Sequence, residues 1–308
     1  MAALITLCAQ PPNPSSPRNP SSSPLSHRHV VYTTPAHYAP SLERRLRAHQ
    51  AHPLWLPTIS VLSTPHTKTL IRNHLQKTLI NQSSAIAFTS RAAINSFSEA
   101  LSEILTLNGP PLSGEGEPFY LCALGRDSEL LDQRFVLSLC ENLDRVRVFV
   151  PSVPTPKAMA EELGDGLNRE ILCLVPLVTG LDEPSVVPDF LGALKDQNWR
   201  PIRLNSYETR WAGLDCAEFL ISDEASDAIV FTSTAEVQGL IKGLKKLGFE
   251  WVMVREKRPG LVVAAHGPVT ALGAKKLGVD IDLVSSRFDS FDGVVNALAQ
   301  RFMKGGQP

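Results

Sequence analysis

AIAFTSRAAINSF, residues 85–97, and AIVFTSTAEVQGL, residues 228–240, are two versions of one phrase in a single chain. Each starts as a short apolar run, breaks at Phe-Thr-Ser and continues with apolar residues at helical spacing. That pattern predicts a buried strand, a turn and a helix capped by Ser90 or Ser233. The two phenylalanines, Phe88 and Phe231, lie 143 positions apart, and other landmarks repeat at nearly the same interval. YLCALGRDSELL breaks at Gly125 and LVVAAHGPVTALGAKKLG at Gly267; upstream, HVVYTTP (29–35) matches ILCLVPLVTG (171–180). Each of the upstream runs leads into a helical pattern, PSLERRLRAHQ or DFLGALKDQNW, and then an extended one, LWLPTISVL or RPIRLNSYE. A repeat this long is a duplicated domain and not a solenoid. Strands alternating with amphipathic helices predict an α/β fold of two similar parallel-sheet lobes. The repeat alone would divide the chain once, near 150–165.

Composition sets the limits. The 308 residues are 43% hydrophobic and 20% charged, enough for one large core or two ordinary ones. Thirty Lys and Arg against 31 Asp and Glu exclude a nucleic-acid-scale basic field, and no apolar run is long enough to cross a bilayer. A small-molecule ligand is therefore expected, with no nucleic acid or membrane partner. Cys8, Cys122, Cys140, Cys173 and Cys216 include no CxxC pair and no histidine at metal-ligand spacing, so they read as reduced core thiols with no metal site. Residues 1–28 are rich in Ser and Pro, carry Arg18 and Arg28 and lack acids, which reads as a disordered transit peptide.

In a parallel sheet, ligands bind beyond the carboxyl ends of the strands. The turns there are Thr89-Ser90-Arg91, Thr232-Ser233-Thr234, Gly125-Arg126-Asp127-Ser128 and Gly267-Pro268-Val269-Thr270. A strand that stops at Thr-Ser and becomes a helix gathers free N–H groups, a partial positive charge and hydroxyls, which suits an anion. The competing reading is that each hydroxyl simply caps its helix. Asp127 reads as a cap, His266 as a packed histidine, and Arg91 and Lys157 as solvated charges or carboxylate partners. No dinucleotide loop, P-loop or nucleophile elbow is present. The residues by themselves lead to a two-lobed protein that binds an anionic small molecule in its cleft.

The ordered set VVYTTP with LWLPTISV, FTSRAAINSF, PIRLNSYETR, FTSTAEVQGL and AAHGPVTALGAKKLG, spanning about 29–303, resembles the uroporphyrinogen-III synthase family. The resemblance implies an enzyme, a cyclising carbon–oxygen lyase that closes hydroxymethylbilane while inverting its last ring, in haem and chlorophyll synthesis. No cofactor is implied. Tyr207 matches the family's tyrosine, the candidate catalytic proton donor. Ser90, Arg91, Ser128, Ser233, Thr234, Gly267 and Thr270 match the turns that would hold the substrate's carboxylates. The family layout implies one lobe from 29–57 plus 211–308 and a second from 60–205, joined by a two-stranded hinge with the cleft between them. A monomer in the plastid stroma is expected, in transient contact with the preceding bilane-forming enzyme.

Three departures stand out. TTP replaces the family's Thr-Arg at Thr34, Val269 replaces a threonine, and VPLVTGL lacks a basic residue; NGPPLSGEGEP (108–118) reads as a loop insertion. They keep open an alternative: a non-catalytic paralogue that binds a tetrapyrrole or another polycarboxylate on the same scaffold.

Overall fold

The computed structural model describes residues 23–222, 225–287 and 290–305. Two sheets organise the chain. The first has five parallel strands, β1 (His29–Tyr32), β2 (His52–Trp55), β9 (Ala228–Phe231), β10 (Val262–Ala265) and β11 (Leu283–Val284), in the order β11-β10-β9-β1-β2. The second has six, β3 (Ile59–Leu62), β4 (Ser83–Phe88), β5 (Phe119–Cys122), β6 (Val146–Phe149), β7 (Glu170–Thr179) and β8 (Arg200–Trp211), in the order β3-β8-β7-β4-β5-β6.

The duplicated phrase supplies an inner strand to each sheet, β4 and β9, and the same local logic builds both. Side chains alternate across a strand, so Ile86 and Phe88 face one side of the second sheet and Ala85 and Ala87 the other. The Ile-x-Phe face meets Ile94 and Phe97 of the following helix, α4 (Arg91–Asn108). In the first sheet Ile229 and Phe231 meet Val237 and Leu240 of α9 (Thr234–Lys246), while Ala228 and Val230 pack on the opposite side. Both faces are covered, which is why these strands are continuous apolar runs and not alternating ones.

The second sheet is mixed: β4 to β8 run parallel, as the alternation of strands and helices predicts, and the edge strand β3 does not. β3 runs antiparallel to β8, with Ile59 opposite Trp211 and Leu62 opposite Glu208. The reason is topological. The chain leaves the first sheet after β2 and re-enters it after β8, so the outgoing and returning strands pass side by side in opposite directions.

The packed chain also begins earlier than the composition of 1–28 suggests. Leu25 is fully buried among Val30, Leu42, Leu46 and Leu298, and Arg28 pairs with Asp227 at 2.7 Å and stacks over Phe302. Residues 1–22, with Cys8, lie outside the described residues. Leu25→Ala is expected to cost about 2–3 kcal/mol in denaturant unfolding, since a buried leucine loses its transfer energy and leaves a cavity. A chain starting at residue 29 would show the same loss; equal stability of chains starting at 23 and 29 would place Leu25 outside the cooperative core.

The 108–118 segment is a loop, but a docked one: Leu112 is buried and forms a parallel bridge with Cys140, and Asn142 donates to the Gly114 carbonyl at 2.8 Å.

Candidate functional site

At the end of β4 the backbone of Ser90 stays extended (φ −165°), so its side chain can turn back over the first turn of α4. The Ser90 hydroxyl accepts from the Ala93 N–H at 3.3 Å and donates to the Tyr207 phenol oxygen at 3.0 Å. One residue therefore caps its helix and holds the Tyr207 phenol. Thr89 is spent on the sheet, donating to the Leu174 carbonyl at 2.9 Å.

Tyr207 stands on β8 opposite Pro176, just past an irregularity in the β7/β8 register. It is 8% exposed, and its ring belongs to the core cluster that contains Phe88 and Phe97. Burial raises its ionisation above the ordinary tyrosine range, the Ser90 hydrogen bond pulls the other way, and the charge of Asp127 adds to the rise. Tyr207 is thus a neutral phenol with a proton to give.

Arg91 and Asp127 complete this side of the site. The Arg91 Nε donates to Asp127 Oδ1 at 3.0 Å, tying the start of α4 to the 3-10 turn Gly125–Leu130. Asp127 does not cap that turn. Burial raises its carboxyl above the usual range, against the opposing pull of Arg91. Ser128 donates to the Gly125 carbonyl at 2.7 Å, so its hydroxyl proton is used within its own turn.

From the first sheet, the loop after β1 brings Tyr38 to this group. Burial is the largest influence on its hydroxyl, which is raised; the charges of Asp127 and Arg91 also act on it, as does Tyr207. Its ring lies 4.0 Å from that of His37 and meets Phe291 edge-on at 6.4 Å, with His266 5.0 Å beyond Phe291. Sequence reading missed Tyr38 altogether and took Asp127 for a cap.

The second Thr-Ser turn is built the same way but filled differently. Ser233 caps α9, accepting from the Glu236 N–H at 3.4 Å. The fully buried Glu236 carboxyl folds back over the turn. There it meets the Thr232 N–H at 2.8 Å, the Thr232 hydroxyl at 2.6 Å, the Ser233 hydroxyl at 3.0 Å and the Thr33 hydroxyl at 2.7 Å. Burial raises its pKa; the contacts with Thr232, Thr33 and Ser233 lower it. Thr234 packs against α11 (Pro268–Lys276), where its hydroxyl fills the space a side chain on Gly273 would need. Thr270 is nearly buried and donates to the Thr232 carbonyl at 3.2 Å. Gly267, extended and buried, begins α11.

The structure therefore brings Ser90, Arg91 and Tyr207 together, and gathers Ser233, Thr234 and Thr270 about the other turn, where the Ser233 and Thr270 hydroxyls are engaged internally. Thr34, the sequence's departure at the end of β1, is buried with its hydroxyl unpartnered, while its carbonyl accepts from Trp55 Nε1 at 2.7 Å. Among the described residues no three His, Cys, Asp or Glu side chains gather as a metal site would require, and the Cys122 thiol, pushed up to about 12 by burial, is a core group.

The uroporphyrinogen-III synthase HemD family model matches residues 139–294, half of the chain. The chain belongs to the uroporphyrinogen-III synthase family. Among solved structures, a mutant uroporphyrinogen III synthase from Thermus thermophilus has a similar fold, with a TM-score of 0.58 at 17% identity over 90% of this chain and 99% of that one. The Helicobacter pylori uroporphyrinogen-III synthetase aligns with a TM-score of 0.45 at 17% identity, over 89% and 99%. No curated protein sequence matches the chain. Tyr207 lies on β8, one of the two strands that join the sheets, and its phenol accepts from Ser90 at the N-terminus of α4.

Proposed function

We propose that this family member is a working uroporphyrinogen-III synthase, which cyclises hydroxymethylbilane to uroporphyrinogen III with inversion of ring D. The observation that carries the reading is the Ser90–Tyr207 hydrogen bond, which aims a neutral, buried phenol at the mouth of an anion-suited helix terminus. Tyr207 gives its proton to the substrate's hydroxyl, which leaves as water, and the resulting azafulvene is attacked by the substituted carbon of ring D. The C–C bond so formed closes a spiro intermediate. That intermediate fragments, recloses with ring D reversed, and loses the proton that restores the aromatic pyrrole. The balance is one water lost per ring closed, with no oxidant or reductant.

In this scheme the protein contributes mostly geometry. A flexible tetrapyrrole must be held so that one carbon of ring D, and not its neighbour, reaches the azafulvene, and positioning is worth several kcal/mol in such reactions. Arg91 and the N–H groups of α4 take a substrate carboxylate, Ser128 and Gly267 line the ends of neighbouring strands, and closure of the lobes 29–57 plus 211–308 and 60–205 about the β3/β8 pair excludes water. The enzyme acts as a monomer in the plastid stroma and receives the unstable bilane from the enzyme that makes it.

The test is to supply the protein with freshly generated hydroxymethylbilane and separate the oxidised type I and type III products. Predominantly type III is expected. Type I alone, the product of unassisted closure, from folded protein would reject the enzyme and leave the second reading, a polycarboxylate-binding paralogue. The filled second turn at Glu236 and the unpartnered Thr34 are the observations that favour it.

A further inference from the structure

The two copies of the duplicated phrase differ in charge at two register positions, Arg91 against Thr234 and Ala93 against Glu236, and the second is the buried one. Aligned on Phe88 and Phe231, Ala93 of the first copy corresponds to Glu236 of the second. Both residues stand at the third position of their helices, where the backbone N–H is already held by the cap serine, Ser90 or Ser233. In the first copy a methyl group stands there; the Thr89 and Ser90 hydroxyls donate to the Leu174 carbonyl and the Tyr207 phenol, and among the described residues no side chain of the helix folds back over the N–H groups of the turn. A carboxyl in the second copy reaches back into the turn itself.

What it reaches is a complete carboxylate receptor. One backbone N–H and three hydroxyls, two of them from the turn and one from Thr33 at the end of β1, surround the two oxygens at 2.6–3.0 Å. Oε1 meets the hydroxyls of Thr232 and Ser233; Oε2 meets the Thr232 N–H and the Thr33 hydroxyl. That is the arrangement a helix terminus offers to a ligand carboxylate, and here the ligand is a side chain of the same protein.

We propose that Glu236 is a specificity-determining residue: its side chain occupies the carboxylate site of the second Thr-Ser turn, so that a polycarboxylate ligand is anchored by the first turn and not by both. The binding cleft is asymmetric as a result. A ligand carboxylate that approached the second turn would find its donors committed, and would have to displace a buried group tethered by its own helix. The proposal deepens the synthase reading where it concerns the bilane, but the occupancy itself is independent of catalysis.

The experiment takes the full chain with Glu236→Ala, which gives the second turn the residue of the first, and Glu236→Ser, which keeps a small acceptor among the donors and so guards against misfolding. Thermal unfolding is followed in sodium acetate and in sodium chloride of equal ionic strength. Acetate refilling the vacated site is expected to raise the midpoint of both variants by about 2–4 °C over chloride at a tenfold excess over its dissociation constant, and to leave wild type unmoved. If Glu236→Ala does not fold in chloride, the yield of refolding in acetate against chloride reads the same occupancy. Glu236→Gln, which fills the site without a carboxylate, should show no acetate response. In a second measurement, quenching of uroporphyrin III fluorescence should report at least about fivefold tighter binding to the alanine and serine variants than to wild type, one new anchor being worth that or more. A folded alanine or serine variant with the acetate response of wild type would overturn the occupancy. Acetate rescue with unchanged porphyrin affinity would overturn the role in specificity. Neither result depends on whether wild type makes the type III isomer, so the proposal and the synthase reading fail separately.

Discussion

Gly239→Val is expected to destabilise the protein by about 3–4 kcal/mol, although an ordinary helix position would tolerate it. Gly239 lies inside α9 with no special backbone angle, so helix propensity by itself makes the alanine variant more stable by up to about 1 kcal/mol. The packing reverses that sign. A β-carbon on Gly239 would sit 2.5 Å from the Thr58 carbonyl oxygen and 3.0 Å from the Thr58 β-carbon, closer than atoms pack. Thr58 has no freedom to retreat, because it is fully buried, its hydroxyl donates to the Glu236 carbonyl at 2.7 Å and its carbonyl accepts from the Ala212 N–H at 3.0 Å. On the same turn of α9, the Gly239 carbonyl accepts from Trp211 Nε1 at 2.9 Å. Both segments that pass between the sheets are therefore fastened to one turn of α9, Thr58 going out at Glu236 and Trp211 coming back at Gly239.

The comparison that checks this uses alanine at two glycines. Gly192, inside α7 (Val186–Asp196), has nothing within 4 Å of where a β-carbon would be, so Gly192→Ala should stabilise by about 0.5–1 kcal/mol. Gly239→Ala should instead destabilise by about 1–2 kcal/mol, and Gly239→Val by more, in denaturant unfolding of the same protein. Equal stabilisation by both alanines would mean that the crossover yields to α9 and that the close approach has no mechanical consequence. If the clash moves the crossover, the folded fraction of Gly239→Ala should also produce a lower share of type III isomer, since Tyr207 rides on the strand that ends at Trp211.

The difference between these glycines marks where a sequence stops being informative. Gly192 and Gly239 look alike as letters inside helical patterns, and only the position of Thr58, 181 residues away in the chain, separates them. The strand–turn–helix units at Ser90 and Ser233 were legible because strand period, turn and cap act within a dozen residues. So were the duplication and the α/β class. The antiparallel course of β3 was not, since ISVL pairs equally well either way and its direction follows from the path between sheets. Asp127 looked like a cap because local rules favour that role; its bond to Arg91 joins two turns of different strands. Glu236 drew no reading from the sequence, because its role depends on Thr33, which arrives from the end of the first strand of the chain. Leu25 was hidden by its Ser/Pro-rich surroundings, where composition masks one buried side chain.

Tyr207→Phe is expected to lower kcat for type III formation by about 10- to 100-fold with little change in KM, a loss of about 1.4–2.8 kcal/mol of transition-state stabilisation. The estimate sits at the low end for removal of a general acid because the bilane's hydroxyl also leaves without help, as unassisted closure to type I requires. The substitution removes one oxygen from an 8% exposed ring whose apolar part packs with Phe88 and Phe97, so the ring itself should stay in place. Ser90 loses its phenol acceptor but keeps its contact with the Ala93 N–H, limiting the stability cost to about 1 kcal/mol. Two further measurements separate proton donation from mere packing. Because burial holds the Tyr207 phenol protonated above the ordinary tyrosine range, wild type should keep its activity at alkaline pH up to that raised limit, and the phenylalanine variant should lack the limb where the phenol ionises. Ser90→Ala, which leaves the phenol and removes its partner, should reduce kcat only several-fold while costing about 1 kcal/mol through the lost cap. If Tyr207→Phe instead matches wild type in kcat and isomer ratio, the proton comes from elsewhere at the site. Tyr38, whose hydroxyl lies under the influence of Asp127 and Arg91 and of Tyr207 itself, is then the phenol to replace next.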